Sequence, residues 1–118
     1  MANLSNLAVC YEHMKKYPDA ELALRRAVRN AEKGLPSDSP DLAADLHNLG
    51  FLYSMTAHYQ DAAPLLQRAL DIRMKTLGVN DRDTVQTAES YANVLRALHR
   101  TAEAEELEAR VKPGHQAQ

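Results

Sequence analysis

The sequence predicts an all-α array (solenoid) of about three antiparallel helix-turn-helix units, and three observations carry that expectation. A shift of 42 residues lays the chain on itself, so that Leu4 meets Leu46, Leu7 meets Leu49, Tyr11 meets Tyr53, Ala20 meets Ala62, Leu24 meets Leu66 and Ala27 meets Ala69. A second shift carries Ala62 to Ala104, Asp61 to Glu103 and Arg68 to Arg110, a weaker third copy. Within each copy the apolar residues recur at helical spacing, as in Leu4, Leu7, Ala8 and Tyr11, and no segment keeps strand alternation. Small residues return at two fixed places: Ala8, Gly50 and Ala92, then Ala20, Ala62 and Ala104.

Taken in order, the first helix is expected over 2–14 on the stripe just named. The second, 18–33, opens on Pro18, whose missing N–H is harmless in a first turn, and buries Ala20, Leu24, Ala27 and Val28. Gly34, followed by Leu35-Pro36, reads as a stop in the left-handed conformation that glycine reaches freely. The third helix, 40–56, starts at Ser39-Pro40-Asp41: a capping hydroxyl, a proline at the first helical position and an acid near the positive end of the dipole. In the fourth, 60–76, Pro64 removes one ladder bond and should bend the helix slightly, and Gly78 is a second glycine stop. The fifth, 82–98, begins at Asp81-Arg82-Asp83, the counterpart of Ser39-Pro40-Asp41. The sixth, 102–111, carries Glu103, Glu105, Glu106, Glu108 and Arg110, a polar outer face suited to a cap. The units then run about 1–38, 39–80 and 81–112, with a disordered tail over 113–118.

The recurring small residues have a physical reason. Two helices joined by a short turn bring their backbones close, and a large side chain there would push them apart. Replacing Ala62 with Leu should overpack the crossing at a cost of about 1–3 kcal/mol.

The spacings Leu4-x2-Leu7-Ala8-x2-Tyr11 and Ala20-x3-Leu24-x2-Ala27, with their counterparts Leu46-x2-Leu49-Gly50-x2-Tyr53 and Ala62-x3-Leu66-x2-Ala69, resemble the tetratricopeptide repeat. The period of 42, together with Asn6-Leu7-Ala8, Ala62-Ala63-Pro64-Leu65, Ala69-Leu70-Asp71-Ile72-Arg73 and Leu77-Gly78, resembles the kinesin light chain type of that repeat. The turn position usually held by glycine in such units is Lys15, Ala57 and His99 here. The resemblance implies a right-handed superhelical array that binds protein or peptide partners and catalyses nothing. A HEAT-like array has a similar period without this Ala-x3-Leu-x2-Ala spacing.

Stacked hairpins bury their apolar surfaces against each other and line the concave side with the first helix of each unit. Opposite the buried set, that places Asn6, Val9 and His13 in the first unit, His47, Asn48, Phe51 and Met55 in the second, and Glu89, Asn93 and Arg96 in the third on a candidate peptide groove. An asparagine amide offers both donor and acceptor to an extended backbone, and equally to a neighbouring helix. Phe51 and Met55 suit either an apolar floor for a partner side chain or inter-helix packing. Arg96 could meet a ligand carboxylate, with Glu89 or Asp45 as the intramolecular alternative. The groove face carries no lysine, which disfavours the carboxylate clamp of some tetratricopeptide domains, and it has no cationic lining for acidic cargo peptides.

Other classes are weakly supported. With 14 Lys and Arg against 16 Asp and Glu, net −2, the chain has no broad positive field for nucleic acid or anionic membrane. Arg25, Arg29 and Lys33 share a face with Arg26 beside them; a solvated outer surface, helped by Glu21 four residues before Arg25, accounts for them more simply than acidic or phosphorylated partners. The five histidines show no metal spacing, and no cofactor is expected. The single Cys10 would need His13 as a base to act as a nucleophile, and a small packed residue is its simpler role. One cysteine, no leader and no spanning run suit a cytoplasmic protein. The truncated start of copy one suggests a fragment of a longer array, which leaves self-association through the N-terminal repeat, or a regulatory part of a larger signalling protein, as the alternatives to a binding scaffold.

Overall fold

The structure, a computed structural model, describes residues 17–34 and 39–111. The expected helix over 2–14, the Leu35-Pro36 step and the 113–118 tail lie outside the described residues. Five helices follow in order: α1 (Tyr17–Gly34), α2 (Pro40–Met55), α3 (Tyr59–Thr76), α4 (Arg82–Ala97) and α5 (Thr101–Arg110), and the described residues contain no strand. Each bound falls within one residue of its expected position.

Each helix packs on the next, and α2 also touches α4, so the first helices of successive units stand side by side. One core joins α1, α2 and one side of α3 through Leu24, Val28, Leu42, Leu46, Leu49, Leu52, Ala69 and Ile72. A second joins the other side of α3 to α4 and α5 through Leu66, Leu70, Val85, Tyr91, Val94, Leu95, Leu107 and Val111. Tyr53 packs against both, and its hydroxyl donates to Glu21 Oε2 at 2.9 Å, tying α2 back to α1. Burying each leucine stabilises by about 1.5–3 kcal/mol, so these stripes, rather than helix propensity, hold the array. Ala20, Ala62, Ala92 and Ala104 are fully buried, as the close-approach argument requires.

The capping chemistry also appears. Ser39 Oγ accepts from the Asp41 amide at 3.2 Å and Asp81 Oδ1 from the Asp83 amide at 2.8 Å, both from extended cap residues. Helix α3 continues through Pro64, which sits on the exposed side and deprives the Gln60 carbonyl of its donor four residues on.

Two findings differ from expectation. Gly34 ends α1 without a left-handed φ, whereas Gly78 takes φ 93° and donates to Met74 O at 3.2 Å. The hairpin turns instead place Ala57 and His99 at φ 64°. After α2 the amides of Ala57 and His58 bond Ser54 O and Tyr53 O at 3.2 and 2.7 Å; after α4 those of His99 and Arg100 bond Arg96 O and Leu95 O at 3.0 and 2.7 Å. Both are the two-bond helix stop that normally employs glycine, formed here without that residue.

Candidate functional site

The face of α2 turned away from its core carries Asn48, Phe51 and Met55, three and four residues apart and therefore on one stripe. Phe51 and Met55 remain 43% and 44% exposed, while Leu46, Leu49 and Leu52 on the opposite side are buried. Asn48 is half-buried, and among the described residues its amide has no hydrogen-bond partner. The Ser54 hydroxyl donates to the Phe51 carbonyl of its own helix at 2.7 Å.

His47 does not lie on the free surface that its spacing suggested. It is 8% exposed, because the third unit packs over it, and its Nδ1 stands 2.9 Å from Thr87 Oγ1 on α4. The same hydroxyl accepts from Arg73 Nη1 at 2.7 Å and donates to the Asp83 carbonyl at 3.0 Å. A hydroxyl has one proton and two acceptor sites. With the proton given to Asp83, both sites are filled when His47 donates from Nδ1, which assigns the tautomer. Burial, and then the Arg73 guanidinium, lower the His47 pKa to about 4 against a weaker opposing pull from Asp83. The imidazole is therefore neutral at pH 7 and acts as support: its ring stacks on Phe51 at 6.4 Å with an interplanar angle of 16°.

On α4, Glu89, Asn93 and Arg96 form the matching stripe and all three are exposed. Glu89 also borders an open depression of about 500 Å³ with Asn80, Arg82, Val85 and Gln86. Glu89 and Asn93 make no hydrogen bond or ion pair among the described residues. Arg96 does have an intramolecular partner, but it is neither Glu89 nor Asp45: the guanidinium forks onto Glu108 of α5 at 2.8 and 2.5 Å. Asn6, Val9 and His13, like Cys10, lie outside the described residues.

The sequence reading missed the polar set of the buried Thr84 and Thr87 with the half-buried Arg73. Thr84 and Thr87 are wholly inaccessible, and Thr84 Oγ1 donates to Arg73 O at 3.2 Å. No spacing rule marks a threonine for this role; the available signal was that Thr87 falls on the apolar side of α4 next to Ala88. Among the described residues no group of His, Cys, Asp and Glu is arranged to hold a metal ion, and no helix is long and apolar enough to cross a membrane.

The family model of the tetratricopeptide repeat matches residues 1–75. The chain belongs to the tetratricopeptide repeat family. Proteins of this family are in general non-catalytic scaffolds that bind protein partners. Among solved structures, this tetratricopeptide chain is similar to a candidate kinesin light chain from Podosopora anserina with nearly identical TPR-like repeats, at 27% identity and a TM-score of 0.83. A point-substituted form of that protein matches at 27% identity and a TM-score of 0.84. In both cases the alignment covers 92% of this chain and 51% of the other, so this chain spans about half the length of those structures. No curated protein matches the chain significantly. The kinesin light chain type of repeat read from the 42-residue period is thus the type its structural neighbours have.

Proposed function

We propose that this tetratricopeptide chain is a non-catalytic scaffold of three units, about 1–38, 39–80 and 81–112, that binds a protein or peptide segment across the face formed by α2 and α4 and the corresponding Asn6, Val9 and His13. The observation that carries the reading is the pair Phe51 and Met55, nearly half exposed one turn apart on a helix whose other side is fully used by the core. An exposed aromatic held by a stacked histidine is a fixed apolar contact, and methionine adapts to what lies on it. Beside them the amides of Asn48 and Asn93, which have no hydrogen-bond partner among the described residues, can accept from and donate to an extended main chain. His47 supports this face rather than touching the ligand. Arg96 reads a carboxylate only by exchanging Glu108 for it. One cysteine and a near-neutral chain suit a cytoplasmic, reducing setting.

Peptides selected from a random display library against the intact chain test the reading by fluorescence anisotropy. Asn48→Ala with Phe51→Ala is expected to weaken the selected peptides by about tenfold or more, the range of a central aromatic contact. Unchanged affinity in that variant, with loss on changing the outer faces of α1, α3 or α5, would overturn it.

A further inference from the structure

The outer helices carry a periodic arginine. Arg68 of α3 reaches back to α1, with Nη1 2.5 Å from Glu32 Oε2. One period later Arg110 of α5 reaches back to α3, with Nη2 3.9 Å from Met74 Sδ. Arg68 and Arg110 occupy equivalent positions, and so do Glu32 and Met74, so the repeat geometry delivers the same guanidinium to the same spot on the preceding outer helix. One period earlier the arginine is Arg26, on α1. It is exposed, and among the described residues it has neither a hydrogen bond nor an ion pair.

The surroundings of Arg26 extend the feature. Leu22, Arg26, Arg29 and Lys33 recur at helical spacing and form one line along α1. All four are exposed, and Leu22 at 57% is the most exposed large apolar residue of the described chain. The carboxylates nearby are occupied: Glu21 accepts from Tyr53 at 2.9 Å and from Arg25 at 3.4 Å, and Glu32 is held by Arg68. Asp19 lies about 10 Å along the axis from Arg26. Among the described residues, three cations within about 10 Å therefore have no counter-charge, in a chain whose net charge is −2.

We propose that this line docks an acidic amphipathic helix, with a carboxylate on Arg26 of the kind that Glu32 places on Arg68 and an apolar side chain on Leu22. Carboxylates one helical turn apart match the pitch of Arg26, Arg29 and Lys33. A single line of three cations ending in a leucine suits a protein helix better than a bilayer, whose headgroups recruit clusters of roughly 4–8 basic residues. The site is separate from the α2–α4 face, so either assignment stands or falls alone.

The probe is a short labelled peptide with Glu residues on one helical stripe and Leu at its end, compared with the same composition scrambled off that stripe. Both are titrated with the full chain by anisotropy, and phosphatidylserine vesicles and a single-stranded oligonucleotide are run alongside. Saturable binding of the striped peptide is expected, weakened about tenfold when Arg26→Gln, Arg29→Gln and Lys33→Gln are combined, weakened by salt, and unchanged by Phe51→Ala. All three cations are exposed, so the triple variant keeps its fold, which circular dichroism verifies. Equal binding of the scrambled peptide, indifference to the triple variant, or tighter binding of vesicles or oligonucleotide would overturn the proposal.

Discussion

Gly50 on α2 faces Leu66 on α3 with no room for a methyl group: a Cβ at position 50 would stand 2.7 Å from Leu66 Cγ, 2.9 Å from its Cδ2 and 3.4 Å from the Ala62 carbonyl. Leu66 is fully buried, so it cannot swing into solvent to make way.

Gly50→Ala is therefore expected to destabilise by about 1–3 kcal/mol, even though alanine in an open helix is favoured over glycine by about 1 kcal/mol. The equivalent pair in the next unit is Ala92 and Glu108, where the side chain that would crowd the alanine is turned out to Arg96. Urea midpoints of the variant and the parent chain decide the sign.

Ala57 and His99 hold the two hairpin turns at φ 64°, a conformation that costs an L-residue roughly 1–2 kcal/mol and glycine almost nothing. Ala57→Gly and His99→Gly should each raise stability by about 1 kcal/mol, the greater freedom of glycine in the unfolded chain limiting the gain. Thermal melts of the single and double variants, which are far enough apart to add, check this.

The pH dependence of stability should carry a His47 signature. Its pKa is about 4 in the folded chain against an ordinary value of 6.5, so the residue is neutral in both states at pH 7 and costs nothing there. As pH falls below 6.5 the unfolded chain takes up a proton that the folded one resists. Stability is lost down to about pH 4, in total roughly 3 kcal/mol, and no further below it. His47→Gln should flatten that window in denaturant melts taken across it; an unaltered profile would show that His47 is not the group responsible.

Much of the fold was legible because the interactions that set it are local or periodic. The stripes of Leu24, Leu46, Leu49 and Leu66, the caps at Ser39 and Asp81, and the alanines at the crossings all follow from spacing and side-chain size. The turns were legible in place but not in conformation, since nothing in Ala57 or His99 advertises a positive φ; the tertiary crossing imposes it. Gly34 misled for the converse reason: permission to turn left-handed is not an obligation.

The candidate face was less legible. Helical spacing placed Asn48, Phe51 and Met55 on the open side of α2, but it assigned His47 there too, since spacing within one helix says nothing of what the next unit covers. Arg96 found Glu108 across the α4–α5 hairpin, a partner fixed by three-dimensional approach rather than by helix register.

Amide chemical-shift mapping of the intact, isotope-labelled chain with a library-selected peptide tests the binding face most directly. The largest changes should cluster at Asn48, Phe51 and Met55 on α2 and at Asn93 and Arg96 on α4, with α3 and α5 quiet. Changes confined to the outer surfaces of α3 and α5, with α2 and α4 unmoved at saturation, would contradict it.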